Sequence, residues 1–166
     1  MPSYTHVTHP FDPLYDANSK ILILGSFPSV QSRKNCFYYS HPQNRFWRLL
    51  AKLYQAPLPA SIEEKKAFCL SKNIALFDAV FSCDIISSSD SSMKNVVPSD
   101  LSRVISSSRI SRVFCNGKTS AFYYNKFQKP VLKIPCTVLP STSPANAAWT
   151  FPRLLEEWKK ILQEDL

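Results

Sequence analysis

Glycine is nearly absent from this chain. Gly25 and Gly117 are the two glycines in 166 residues, where an average usage of about 7 % would give on the order of a dozen. Each follows a run that reads as a buried strand. Lys20–Gly25 carries "ILIL", apolar on both faces, the pattern of a central parallel strand covered by helices. Arg112–Cys115, "RVFC", precedes Gly117 in the same manner. In open α/β sheets ligands bind beyond the carboxyl ends of the strands, and a residue without a Cβ there lets the backbone come close to something. A tight strand exit with no ligand is the alternative reading of either glycine.

The periodicity between these strands predicts helices. "HPQNRFWRLLAKLY" (41–54) places Pro42 at the first helical position and Asn44 in the first turn. Phe46, Leu49, Leu50, Leu53 and Tyr54 make its apolar face, and Arg45, Arg48 and Lys52 a basic stripe on another. Ser61 and Glu64 have the spacing of a capping box at the head of a second helix. Ile74–Phe81 reads as a strand and "SSSDSSMKNVVPSD" as a serine-rich loop, with a short helix starting at about Ser99. A helix opens at Gly117, Val131–Leu139 is a fourth strand with Pro135 as an interruption, and "PSTSPANA" is a loop. Pro152 starts the last helix, whose core face is Leu154, Leu155, Trp158, Ile161 and Leu162. Alternating strands and helices predict an α/β fold: a three-layer α/β/α sandwich around a central, mainly parallel four-stranded sheet. A single domain over 1–166 is expected, with 1–19 an N-terminal extension packing on it.

Charge narrows the partners. The formal net charge is +8, and from Ser91 to Lys133 eight basic residues face one acid, Asp100. That surplus is the footprint of a polyanion binder, against the plainer reading of a merely basic surface. No apolar run approaches the ~20 residues of a membrane span, and the amino terminus lacks a signal-peptide layout. Five dispersed cysteines without a CxxC pair, and three histidines in no ligand pattern with them, predict reduced structural thiols and no metal. An intracellular monomer without cofactor is expected, cytoplasmic (nucleoid-associated) in a prokaryote or nuclear in a eukaryote.

Three loops gather at the predicted strand ends: "GSFPSVQSRKNCFYYSHPQN", "NGKTS" and "LPSTSPANA". None is a phosphate cradle of the GxxxxGK[ST] or GxGxxG type. They supply rings, amides and hydroxyls, which stack on bases, read base edges and grip phosphates. That mixture in a basic protein points to a nucleobase pocket.

"ILILGSFPS…YYSHPQNRFW", with "NVVPSD", "NGK" and "LPSTSPAN" following in order, resembles the uracil-DNA glycosylase superfamily, in particular its hypoxanthine-DNA (deoxyinosine) glycosylase branch. The resemblance runs from Lys20 to the final helix. It implies a monofunctional DNA glycosylase that flips a deaminated base, hypoxanthine or with lesser action uracil, out of DNA and hydrolyses its N-glycosidic bond. By the same resemblance Asn44 is the catalytic amide that aims water at the anomeric carbon. Gly25, Ser26, Phe27, Pro28, Tyr39 and His41 hold the base, with Tyr39 stacking on it. Asn116, Gly117, Lys118, Ser141, Ser143, Pro144, Ala145 and Asn146 meet the DNA strand. Two departures stand out: mismatch-specific relatives carry asparagine where this chain has Phe27, and asparagine where it has Ser141. They raise the alternative of a nucleic-acid-binding module of the same fold with little or no catalysis. Asparagine near a helix start also has a plainer role, satisfying orphan N–H groups. Asp78 and Asp90 read as structural acids, with Asp90 an outside candidate for activating water.

Overall fold

The computed structural model describes residues 3–163. Strands β1 (Thr5–Thr8) and β2 (Ile21–Gly25) are followed by helices α1 (Val30–Asn35), α2 (Phe46–Leu53) and α3 (Ile62–Ser71). Then come β3 (Ile74–Asp78), β4 (Val80–Ile85), β5 (Lys94–Pro98) and α4 (Ser102–Ser106). The chain continues through β6 (Arg112–Asn116), α5 (Lys118–Tyr123), a π-helical turn Tyr124–Gln128, α6 (Lys129–Leu132), β7 (Cys136–Leu139) and α7 (Phe151–Trp158). A 3-10 turn, Lys159–Leu162, extends α7.

The central sheet has the order β3-β2-β6-β7, and every neighbouring pair is parallel. All residues of β2 and β3 are buried, which requires cover on both faces and makes this layer the middle of an α/β sandwich. The capping box forms as the spacing predicts: Ser61 Oγ accepts from Glu64 N–H at 3.0 Å, and the Glu64 carboxylate returns to the Ser61 hydroxyl at 3.2 Å.

A second, antiparallel sheet of order β1-β4-β5 was not predicted, and it corrects several sequence expectations. Ile74–Phe81 is not one strand. It divides at Ala79, where the chain leaves the parallel sheet and enters the antiparallel one. The serine-rich stretch holds a 3-10 turn (Asp90–Ser92) and β5. Residues 5–8, part of the N-terminal extension, supply β1, paired with β4 from Thr5↔Ile85 to Thr8↔Ser82.

Local chemistry accounts for the other differences. Helix α2 starts at Phe46 rather than Pro42. Asn44 N–H closes a turn onto His41 O at 2.9 Å, and Asn44 Oδ1 takes Phe46 N–H at 3.0 Å, a local side-chain bond that competes with helix. The expected strand from Val131 begins only at Cys136, because Pro130 sits in the first turn of α6 and Pro135 has no N–H for a ladder. The first predicted loop contains α1, N-capped by Ser29, and α4 starts at Ser102, later than Ser99. Leu162 is 43 % exposed and off the core face. All five cysteines are free. Among the described residues no helix is long and apolar enough to cross a membrane.

Trp158 ties α7 to the site. It is fully buried, packs edge-on against Phe46 with centroids 5.9 Å apart, and donates from Nε1 to Pro140 O at 2.9 Å. Trp158→Ala is expected to cost about 3–5 kcal/mol in urea unfolding, by cavity formation and an orphaned carbonyl.

Candidate active site

Because the central strands run parallel, Gly25, Asp78, Asn116 and Leu139 end at one edge of the sheet. A cavity of about 490 Å³ opens there. The loop after β2 lines it with Gly25–Ser29, Ser32, Tyr38, Tyr39 and Asn44, and the carboxyl ends of β3 and β6 contribute Asp78 and Asn116. Ser88–Ser91, Thr119, Ser141–Ser143 and Ala145 complete it. A larger groove of about 710 Å³ runs between α2 and Phe151, but it is lined by Arg48, Ala51, Lys52, Gln55, Ala56, Leu58 and Phe151, with no acid and no strand end. The strand-end cavity gathers polar groups at the carboxyl ends of the parallel strands.

Its floor is built around a carboxylate. Asp78 is 4 % exposed, and His9 Nε2 lies 2.7 Å from its Oδ2. Phe11 N–H points at His9 Nδ1 at 3.4 Å, so the ring accepts there and donates from Nε2 to Asp78. The Asp78 main-chain oxygen takes the Ser99 hydroxyl at 2.7 Å. A Cβ on Gly25 would stand 2.4 Å from Asp78 Oδ1 and 3.3 Å from the Tyr39 hydroxyl. Glycine is therefore needed here because Asp78 presses on the backbone, whereas Gly117 is needed for its φ of +100°.

Tyr39 has a left-handed backbone, φ +53°, held by its ring stacked on Phe46 at 3.9 Å between centroids. Among the described residues its buried hydroxyl has no hydrogen-bond partner. Burial, and then the Asp78 charge, push its ionisation well above the usual tyrosine range, so it stays a donor.

Asn44 sits at the other wall. Its Oδ1 accepts both Phe46 N–H, at 3.0 Å, and the Thr142 hydroxyl, at 2.9 Å. Thr142 is fixed in turn by Asn116: Nδ2 donates to Thr142 Oγ1 at 3.0 Å, and Oδ1 accepts Thr142 N–H at 3.0 Å. With both acceptor sites taken, Asn44 offers the cavity only its Nδ2 donors. The plainer reading of Asn44 thus holds for its oxygen and leaves the nitrogen for a ligand.

Arg45 is not part of a solvated basic stripe. Its guanidinium donates to Ser143 O and Asn146 O, each at 3.1 Å, and to Trp149 O, pinning the 141–149 loop over the cavity. Asp90, exposed as a residue at the rim, turns its carboxylate inward, where both oxygens accept from Ser26 Oγ at 2.9 and 3.0 Å. Loss of solvent lifts this carboxyl above its ordinary range. The Ser26 hydroxyl opposes that shift and the Asp78 charge adds to it.

Of the residues singled out from the sequence, Gly25, Ser26, Phe27, Pro28, Tyr39, Asn44, Asn116, Ser141, Ser143 and Ala145 converge on the cavity. His41, Gly117, Lys118, Pro144 and Asn146 do not line it. His41 is exposed and its Nδ1 accepts Gln43 N–H at 3.1 Å. Gly117 packs on Ser141, Lys118 is exposed, and Asn146 braces the loop by donating to Ser141 O at 2.9 Å. The Tyr39 ring has one face covered by Phe46. Sequence reasoning set Asp78 aside as structural and missed Thr142. The signal for Asp78 was its place at the end of an apolar run, facing Gly25. Nothing local marks Thr142. Among the described residues no cluster of His, Cys, Asp or Glu is arranged to hold a metal ion.

The strand-end cavity is walled by a fixed amide and floored by a buried carboxylate, beneath a braced serine–proline loop. Comparison with known proteins gives the class: residues 13–165 match the model of the uracil DNA glycosylase superfamily, and the chain belongs to that superfamily. Among individual relatives, the hypoxanthine DNA glycosylase of Methanosarcina acetivorans is 32 % identical over 158 residues, covering 92 % of this chain and 96 % of its own. That of Methanosarcina barkeri is 41 % identical over 69 residues, 41 % of this chain and 44 % of its own. The solution NMR structure of a candidate uracil DNA glycosylase from M. acetivorans superimposes with a TM-score of 0.78 at 28 % identity, over 91 % of this chain and 93 % of that one.

Gly25→Ala tests the floor. Asp78 is held by His9 and cannot yield, so the added methyl is expected to cost about 1–3 kcal/mol in urea unfolding, the range for overpacking a filled site.

Proposed function

We propose that this protein is a monofunctional DNA glycosylase that hydrolyses the N-glycosidic bond of hypoxanthine in DNA, with uracil a lesser substrate. The hypoxanthine DNA glycosylase of M. acetivorans, similar along almost its whole length, supports this substrate class. The observation that carries the reading is the cavity-lining amide of Asn44, whose orientation is fixed from behind by Phe46 N–H and Thr142.

A base inside a duplex is out of reach, so the nucleotide swings into the cavity at a cost of a few kcal/mol, less for a mispaired base. The basic exterior draws in the phosphate backbone and releases counterions. The loop around Ser141, Ser143 and Ala145 presses on the strand from its braced position. The C1′–N bond then breaks with oxocarbenium character in the sugar, and the bonding pair leaves with the base. Asn44 Nδ2 donates to the oxygen of a water and sets it against the anomeric carbon. An amide whose oxygen is saturated positions this water without deprotonating it. That suffices, because an oxocarbenium ion needs only a weak nucleophile, and after attack the added water gives up its proton to the departed base anion, which leaves neutral. The departures at Phe27 and Ser141 do not remove this role, since Asn44 supplies it from a different segment.

The test is single-turnover release of base from an inosine-containing duplex, read by alkaline strand cleavage. Asn44→Ala is expected to slow release by about 10²–10³-fold, the effect of losing one positioned donor. Thr142→Val, which unlocks the amide without removing it, is expected to slow release roughly tenfold, the ~1.4 kcal/mol scale of one hydrogen bond. Tight, lesion-selective binding without release by the wild type would replace this reading with that of a non-catalytic module.

A further inference from the structure

Two polar groups at the cavity floor have no task in the mechanism above. Asp78 Oδ1 accepts no hydrogen bond from the described residues, while Oδ2 is held by His9. Among the described residues the buried Tyr39 hydroxyl makes no hydrogen bond of proper geometry, and it cannot swing away because its ring is stacked on Phe46. Both converge on one point, 2.4 Å and 3.3 Å from where a Gly25 Cβ would stand. Both side chains line the cavity. One is an acceptor only and the other, kept protonated, is a donor.

The neutral tautomer of His9 matters here. Its Nδ1 accepts from Phe11 N–H, so Nε2–H satisfies Oδ2 and adds no formal positive charge. Asp78 keeps a free oxygen, Oδ1, at the cavity floor. A buried carboxylate left in that condition is costly unless a donor reaches it.

We propose that Asp78 and the Tyr39 hydroxyl form an acceptor–donor pair that selects the lactam edge of the flipped base, a ring N–H beside a C=O; this inference rests on the glycosylase reading. Deamination creates that edge. Adenine presents a ring nitrogen acceptor beside an amino donor, and hypoxanthine presents N1–H beside O6. Cytosine and uracil differ in the same sense at N3 and position 4. Asp78 Oδ1 accepts the ring N–H and Tyr39 donates to the carbonyl. The parent base sets a nitrogen lone pair against the carboxylate and an amino group against the hydroxyl, and both mismatches are buried. Guanine and thymine carry a lactam edge as well, so the pair does not reject them. Their exclusion falls to the cavity's shape around the 2-amino and 5-methyl groups. The selectivity acts on which base is held, not on how the bond breaks.

The experiment compares three duplexes, containing inosine, 1-methylinosine or the unsubstituted purine deoxynucleoside, in single-turnover base release by the wild-type protein. 1-Methylinosine keeps the carbonyl and loses the N–H. The unsubstituted purine loses both groups and is smaller than hypoxanthine, so size cannot exclude it. Both are expected to be released at least about 100-fold more slowly than hypoxanthine, well inside the discrimination open to sites built on hydrogen bonds. Release of either within threefold of hypoxanthine overturns the pair. No release from inosine overturns the glycosylase reading itself, and the pair with it. Tyr39→Phe isolates the donor: inosine release is expected to fall roughly tenfold, for one lost hydrogen bond. Unchanged release overturns the donor half. These comparisons do not depend on whether Asp78→Asn, which disturbs the His9 contact, folds.

Discussion

A carboxylate buried at the end of a parallel strand is the constraint around which this molecule is arranged. Asp78 has 6 % of its side chain exposed, and burying such a group alone is prohibitive. Its partner His9 lies 69 residues earlier, in the segment following β1. The β1–β4 ladder, continued by His9 N–H to Phe81 O at 2.7 Å, fixes where the imidazole stands. The second sheet thus does more than shield hydrophobic surface. It delivers the histidine that makes the acid tolerable, within an aromatic setting of Phe11, Phe27, Tyr38 and Phe77.

The chain's change of sheet at Ala79 belongs to the same arrangement. Beyond Gly25 the parallel pairing continues as Ala79 N–H to Gly25 O at 2.8 Å and Val80 N–H to Ser26 O at 3.0 Å. The "GSFP" turn is therefore braced by β3–β4 while Gly25 carries no Cβ against Asp78. On the far wall, Asn44, Thr142 and Asn116 join three segments by hydrogen bonds of 2.9 to 3.0 Å, and Arg45, next in sequence to Asn44, holds the same loop by its carbonyls. One short stretch, 44–46, thereby starts a helix, orients an amide and anchors a loop. These roles are mechanically linked, because the helix N-terminus supplies the N–H that fixes the amide.

The sequence made the central sheet legible because its strands are apolar on both faces, and such runs have few other uses. The capping box at Ser61 was legible because its partners are three residues apart. The antiparallel sheet was hidden: β1 and β5 are mostly exposed, with burial patterns and composition that resemble loop, and "KNVVP" ends in proline. Pairings between distant segments left no local trace, which is why Asp78–His9 and Asn44–Thr142 were not foreseen. Asn44 itself was reached through resemblance, since its position before a helix fits an ordinary cap equally well. Its oxygen does act as one. Arg45 was misassigned for a related reason: helical spacing placed it on a basic face, but it precedes the helix and turns toward the loop instead.

Charge is distributed in opposite senses inside and outside the site. The chain carries +8, yet the cavity is lined by two aspartates and by no lysine or arginine. A nucleotide is itself divided, with a charged phosphate and a neutral base. A positive exterior attracts the phosphates over roughly a Debye length, about 8 Å at physiological ionic strength, whereas a negative interior repels them at contact. On the glycosylase reading proposed above, the two fields together would hold the backbone at the surface and admit the base alone. The repulsion between the interior acids, which helps lift Asp90 above the ordinary carboxyl range, is the cost of that division. It is tolerable because the Ser26 hydroxyl is shared between both Asp90 oxygens, opposing the loss of solvent there. A lysine at this floor would satisfy Asp78 more simply than His9 does. It would also occupy the carboxylate oxygen that is left unpaired at the cavity floor.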